Sequence, residues 1–283
     1  MQIIFGLALG SIYVLMASGL SIIFGLLDVV NFAHGTFYML GAYAMFLVVA
    51  LTGNFWISVA SAMVIVALIG GVTEYFLLKP LYGKDPLYPL LMTFGFSVAV
   101  PDLMKVIFGL IGKTIEYPEG FMGAFFVQGV MIPKYRLFII VMTFVVLLVL
   151  WLFLKRSDLG MIIRAATRDS LMVQTLGINV SRIWTIGFSI GVGLAALAGA
   201  MVCPMVSAFP DMGVEITVES FVVVVIGGLG SLGGAIIGGL LIGQVVSFVS
   251  LFAGDYSHAS IFFAMAIILL IRPRGLFGEA GRL

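Results

Sequence analysis

An all-α bundle of membrane-crossing helices is the fold class that this sequence predicts, and two observations predict it. Hydrophobic residues fill 62% of the 283 positions and charged residues only 10%, with a mean hydropathy of +1.25. A water-soluble domain carries a surface far richer in charge and could not hide so much apolar area. The charges also collect at the seams between long apolar runs, which leaves no stretch for a soluble domain. In lipid the backbone must satisfy its own hydrogen bonds, and about 20 apolar residues as helix span the hydrocarbon.

In order, the apolar runs are 3–24, 37–51, 55–78, 87–110, 137–154, 184–204, 218–226, 235–252 and 257–271. Several are short for a full crossing and 218–226 is nearer half of one. The sequence therefore predicts a polytopic bundle of eight or nine membrane elements, some short or broken, in a single domain over 1–283. The first run follows Met1 without a basic flank or cleavage pattern, as a retained membrane segment would. Charge bias orients the runs. Lys155, Arg156, Arg164, Arg168 and Arg182 outweigh Asp158 and Asp169 across 155–182, and the tail carries Arg272, Arg274 and Arg282 against Glu279. Both segments belong in the cytoplasm. Asp211, Glu215 and Glu219 read as an acidic loop outside; 79–86 falls inside and 112–136 outside. Placing 28–34 on the cytoplasmic side puts the N-terminus outside, unless the first element is interrupted.

Three segments could carry mechanism. In the first, Asp28, Asn31 and His34 are spaced three apart and would share one helix face, with Gly25 and Gly35 bracketing them. Ionisable groups in lipid face a cavity or the bundle interior. A glycine-bracketed break would also expose backbone N–H groups able to hold a carboxylate-bearing solute or an ordered loop. The segment reads either as transport path or gate, or as a short loop with Asn31 as a cap and His34 bonded to backbone. Metal ligands are lacking: His258 is the only other histidine, and the single cysteine, Cys203, sits in an apolar run as packing.

The second segment, 155–182, has the pattern of a helix over 161–176. Ile162, Ala165, Ala166 and Asp169 recur at three and four residues, Leu171, Val173 and Leu176 add apolar contacts, and Gly177 ends it. Arg164 and Arg168 project from one face. Lying along a bilayer, such a helix is an interfacial anchor or a docking element. Its Ala, Ser, Thr and Gln positions favour docking to a cytoplasmic protein.

The third segment is rich in glycine. Gly228-x-Gly230-x-x-Gly233 after a valine run imitates a dinucleotide fingerprint, but a soluble strand–turn–helix setting and an acidic ribose partner are both lacking. Gly230, Gly234 and Gly238 instead repeat at four, continued by Gly239 and Gly243. A matching ridge runs through Gly187, Gly191, Ala195 and Gly199, and a shorter one through Gly6 and Gly10. Such spacings let helices approach closely in lipid. Gly227, Gly228 and Gly230 also supply a break after 218–226 and join the gate candidates.

Other chemistries are excluded or left without parts. Gly112-Lys113-Thr114 ends like a phosphate loop, but Ile107 stands where the first glycine is needed. Two histidines and one cysteine do not assemble a catalytic set, and a net charge of +1 gives nucleic acid no footprint. Glu74 is the main intramembrane acid, near the end of its run and expected at an interface, which leaves a proton relay without members. A transporter remains, either driven by a partner chain or acting alone as a secondary transporter or channel.

Residues 10–25 (GSIYVLMASGLSIIFG) and 30–43 (VNFAHGTFYMLGAY) resemble the N-terminal signature of branched-chain amino acid ABC transporter permeases. The likeness is to the shorter of the two permeases normally paired. RAATRD at 164–169 and LGIN at 176–179 are similar to that family's cytoplasmic coupling segment, and 226–243 with RPRGLFG at 272–278 resemble its closing motifs. The resemblance implies a subunit of a bacterial or archaeal inner-membrane importer. Its partners would be a second homologous permease, two cytoplasmic ATPase subunits that bind ATP and magnesium, and an extracytoplasmic solute-binding protein. This chain would hold no cofactor itself. Coupling to the ATPases would fall on Arg164, Ala165, Arg168, Asp169, Leu176 and Gly177, with alternating access driven through 161–176. The solute would be a branched-chain amino acid, with urea, short-chain amides or other amino acids as the alternative. Thr36 stands where the family pattern leads one to expect an acid, which adds it to the path candidates.

Overall fold

The computed structural model describes residues 1–127 and 130–278. Its helices are α1 (Gln2–Leu27), α2 (His34–Thr52), α3 (Phe55–Thr73), α4 (Leu87–Phe108), α5 (Lys134–Arg156), α6 (Asp158–Arg168), α7 (Ser170–Thr175), α8 (Val180–Val206), α9 (Met212–Gly227), α10 (Leu232–Phe252) and α11 (Ala259–Ile271). An antiparallel hairpin, β1 (Ala124–Val127) with β2 (Val130–Pro133), precedes α5 and sets Ala124 opposite Pro133. Among the described residues seven helices are long and apolar enough to cross a membrane: α1, α2, α3 with its extension to Leu81, α4, α5, α8 and α10. The 16-residue α9 and the 13-residue apolar α11 complete the membrane elements. Glu279 and Arg282 lie outside the described residues.

The core is α1 and α8, buried along most of their lengths, with α2, α3, α9 and α10 around them. Small residues explain that placement, since apolar attraction between helices is weak in lipid and close backbone contact replaces it. A methyl group at Gly10 would meet the backbone of Gly239 and Leu240, and one at Gly243 would meet Gly10. Gly191 faces the Gly19 carbonyl, Gly187 takes the Leu26 side chain, Gly199 sits on the Tyr38 backbone, and Gly238 faces Val223 O. Gly234 packs on Gly227 where α9 and α10 meet. By contrast α4 and α5 expose apolar faces such as Leu91, Val98, Val106, Phe144 and Val149, the surface that lipid or another membrane subunit covers.

The two ends differ in charge. At one end Gly25 of α1 neighbours Thr167 of α6, Tyr82 stacks edge-on to Trp184, and Gly228 abuts Gly278. That end gathers Lys79, Lys155, Arg156, Arg164, Arg168, Arg182, Arg272 and Arg274. At the opposite end Lys113 bridges to Ala208, and Lys105 pairs with Asp102 and with Asp211 at 2.9 Å. An aromatic cluster of Phe55, Trp56, Phe121, Tyr135 and Phe138 sits there too, with Tyr135 donating to Met201 O at 2.7 Å. Amphipathic rings with a polar tip are suited to such an interface.

Three sequence expectations are corrected. The run 37–51 is preceded by three more helical residues, because α2 begins at His34. The half-span 218–226 is the second part of α9, which starts at Met212, so Glu215 and Glu219 are helical rather than loop residues. The single helix 161–176 is two helices: Asp169 is extended (φ −151°, ψ 94°) and its Oδ1 accepts from Met172 N at 2.8 Å, capping α7. Glu74 keeps its expected place near the basic end, beside Tyr82 and Thr185, but is fully buried, in a π-helical turn Glu74–Leu78 that continues α3.

Candidate translocation gate and coupling surface

α1 is one unbroken helix of 26 residues, about 39 Å long at 1.5 Å per residue. It ends with Asp28 in the left-handed region (φ 53°), whose N–H returns to Phe24 O. The chain then folds back into the bundle. His34, the first residue of α2, sets Nε2 3.0 Å from Met16 O, near the middle of α1. The second membrane helix therefore starts at mid-depth rather than at the surface. Asp28, Asn31 and His34 do not share a helix face: the first stays exposed at the end of α1, and only the last is helical.

Local chemistry holds the return segment. Asn31 Oδ1 accepts from Ala33 N at 3.1 Å, an Asx turn that aims the chain into α2. Phe32 N donates to Thr93 Oγ1 at 3.4 Å, and the Phe32 ring packs against Phe94 and Phe221. Gly35 meets α9 so closely that a methyl group would run into Thr217 Oγ1 and the Gly213 carbonyl. Asn31, His34 and Thr36 are buried. A carbonyl can only accept, so His34 carries its proton on Nε2 and Nδ1 is left a bare acceptor. That Nδ1 and Asn31 Nδ2 have no partner among the described residues, nor have Ser18 Oγ and Ser21 Oγ on α1. Buried polar atoms are normally paired, so these four are open to a partner that the described residues do not supply.

The glycine break after α9 lies elsewhere. Gly227, Gly228 (φ +103°) and Gly230 turn the chain at the basic end, where the tail closes on them. Leu276 N donates to Ile226 O at 2.8 Å and Phe277 N to Gly227 O at 3.0 Å, satisfying carbonyls that the end of α9 would leave open. α9 thus touches the start of α2 through Gly213 and the tail through Gly227, joining the two glycine-framed candidates without bringing them together.

α6 and α7 cover the basic end. Ser157 Oγ caps α6 by accepting from Gly160 N at 2.9 Å, and Arg164 Nη1 donates to Leu154 O, folding α6 back against α5. Ile163, Ala166 and Val173 face inward. Leu159, Met161, Leu171, Met172 and Leu176 are exposed on the outward side, with Ala165 beside them. Leu171 and Leu176 therefore do not join the inward contacts that their spacing predicts. Gly177 ends α7 at φ +79°. Arg164 and Arg168 do share a face, lining one cleft.

Two acids are buried more fully than sequence reasoning placed them. Glu74 accepts from Tyr82 OH at 2.9 Å and from Thr185 Oγ1 at 2.5 Å, tying α3 to the start of α8. Burial, then the Glu74 carboxylate, hold the Tyr82 phenol well above its ordinary range, so it stays a donor. Glu219, placed by sequence in an outer loop, lies inside α9 with Oε1 2.6 Å from His258 Nδ1. Glu74 gave a signal in its long apolar run; Glu219 gave none, because its acidic neighbours imitate a loop. One motif also resolves against chemistry. Gly187-x-Ser189-x-Gly191 fits the pattern of a nucleophile elbow, yet it lies within α8, with no strand–turn–helix to raise the serine.

A bundle of seven apolar spanning helices with a buried return segment before α2 and an amphipathic cap at its basic end fits a class, the polytopic membrane transport subunit. The chain belongs to the family described as the permease component of branched-chain amino acid transport systems, which matches residues 2–271. It is 32% identical to the high-affinity branched-chain amino acid transport permease BraD of Pseudomonas aeruginosa, over 98% of this chain and 95% of that protein. It is 30% identical to LivH of Escherichia coli K12, with the same coverage. To LivM of that organism it is 26% identical, over 94% of this chain and 67% of LivM. Among solved structures, PsaBC from Streptococcus pneumoniae in complex with Fab matches with a TM-score of 0.50 at 14% identity, over 94% of this chain and 89% of that one. That match supports the fold alone.

Proposed function

We propose that this chain is the membrane-crossing subunit of an ATP-driven importer of branched-chain amino acids. The observation that carries the reading is the near end-to-end likeness to BraD and LivH, permeases that their names assign to those solutes. The basic end faces the cytoplasm by charge bias, in a bacterial or archaeal inner membrane. One of two ATPase subunits docks on α6 and α7 of this chain, at Arg164, Ala165, Arg168, Asp169, Leu176 and Gly177; the other docks on a second homologous permease, which covers part of the exposed apolar surface, and an extracytoplasmic solute-binding protein delivers the solute to the opposite end. ATP and magnesium belong to the ATPases.

Alternating access follows from the parts. Displacement of α6 and α7 reaches α9 through the tail that closes on Gly227 and Gly228. α9 in turn bears on Gly35 at the start of α2, where Asn31, His34 and Thr36 flank the path. A mid-depth helix start costs little to move, because its polar side chains are already incompletely paired. Reconstitution of the whole complex in proteoliposomes tests the reading. Leucine, isoleucine and valine should enter with ATP hydrolysis; uptake of urea or short amides alone would reassign the solute. Uptake by this chain without nucleotide would make it a secondary transporter or channel. Charge reversal at Arg164 and Arg168 together should leave the protein inserted and the ATPases active while uptake falls; normal coupled uptake would refute the coupling role.

A further inference from the structure

We infer that the cleft between α6, the α9–α10 turn and the 272–278 tail is a binding site for an anionic phospholipid headgroup. The cleft has a volume of about 280 Å³ and is lined by Arg164 and Arg168 of α6 and Arg274 of the tail. None of the three arginines forms a salt bridge among the described residues, and the single hydrogen bond shown for them is that of Arg164 to Leu154 O. Three guanidinium groups around one concavity repel one another unless an anion sits between them, and planar N–H forks suit phosphate oxygens.

The rest of the lining says what carries the anion. Val225, Leu269 and Phe277 supply an apolar wall to the same cleft. Leu269 belongs to α11, whose Phe263, Ile267 and Leu270 are exposed along its apolar length. The wall is therefore continuous with a surface that meets acyl chains, and the arginines stand where that surface ends. A free phosphate would use the cations and leave the wall idle. A lipid with a phosphate head uses both, as basic pockets at the cytoplasmic ends of membrane helices do. The cleft borders the docking surface and shares Arg164 and Arg168 with it, whereas Leu159, Met161, Leu171, Met172 and Leu176 are not part of its lining. A bound headgroup would fasten α6 to the tail and so to the end of α9.

The test uses the assembled transporter in nanodiscs of phosphatidylcholine with or without phosphatidylglycerol, and reads lipid retained on the purified complex by native mass spectrometry. Phosphatidylglycerol should be retained preferentially. Arg274→Gln should lower that retention about fivefold, the factor expected for one lost cation at a membrane surface, and Arg274→Lys should restore most of it. Leu229→Glu, at an exposed lining position, should abolish retention by supplying an internal anion. Soluble glycerol phosphate should compete poorly. Equal retention of the two lipids, or of phosphatidylglycerol by wild type and both Arg274→Gln and Leu229→Glu, overturns the site. Glycerol phosphate binding as tightly as the lipid overturns the role of the apolar wall. Retention that vanishes when the ATPases assemble assigns the cleft to protein docking instead. The tail holds α9 through the backbone of Leu276 and Phe277 rather than through the Arg274 side chain, so lost lipid with coupled uptake intact separates this inference from the transport reading.

Discussion

The two glycine-framed breaks of this chain look alike in sequence and are opposite in structure. Between α1 and α2 the chain turns back into the bundle, and the polar side chains of Asn31 and His34 each keep one nitrogen without a partner among the described residues. Between α9 and α10 the chain turns at the basic end, and backbone N–H groups of Leu276 and Phe277 complete the exposed carbonyls. The first break is buried, incompletely bonded and pressed against a neighbouring glycine; the second is clamped. A membrane protein needs both kinds: one place where movement costs little, and one where force is passed without loss. α9 connects them, with Gly213 against the first break and Gly227 at the second.

Substitutions can break the comparison at either end. Gly35→Ala should have the largest effect. Its methyl group would collide with both the Gly213 carbonyl and Thr217, and overpacking of this kind costs about 1–3 kcal/mol. The expected outcome is a lower thermal midpoint of the purified complex together with loss of uptake. Gly228→Ala should come next. Its φ of +103° strains any side chain, by about 1–3 kcal/mol, and its methyl group would displace the tail at Gly278. Uptake should fall while ATP hydrolysis persists, with protease sensitivity of the tail increased. The smallest effect belongs to Gly233→Ala. That glycine lies in α10 with nothing among the described residues within 4 Å of an added methyl group, so helix propensity alone acts and the gain is about 1 kcal/mol or less. Unchanged uptake there, beside its loss in Gly35→Ala, shows that close contact rather than glycine content matters.

The packing half of the fold was legible in the sequence because close approach leaves a period. Gly187, Gly191 and Gly199 repeat on the face of α8 that meets α1 and α2, and Gly234, Gly238 and Gly243 do so on α10. The membrane runs were legible by composition. What escaped were elements whose polar residues imitate loops. Glu215 and Glu219 hid the first two turns of α9, although Glu219 is buried against His258. The segment 28–34 read either as path or gate or as a short loop with Asn31 as a cap and His34 bonded to backbone, and nothing in its composition records that the backbone His34 meets is the middle of α1. The division of α6 from α7 left a faint signal, an aspartate three residues before Met172 in a cap position, which the longer helical period concealed.

Chemical access to the start of α2 tests the central claim most directly. In a Cys203→Ala background, which removes the buried native thiol, Asn31→Cys would be treated with a small membrane-impermeant thiol reagent on the reconstituted complex. The account predicts slow modification at rest and faster modification during ATP turnover with loaded binding protein, as the mid-depth break opens. Equal rates in both states would contradict a moving gate at this position.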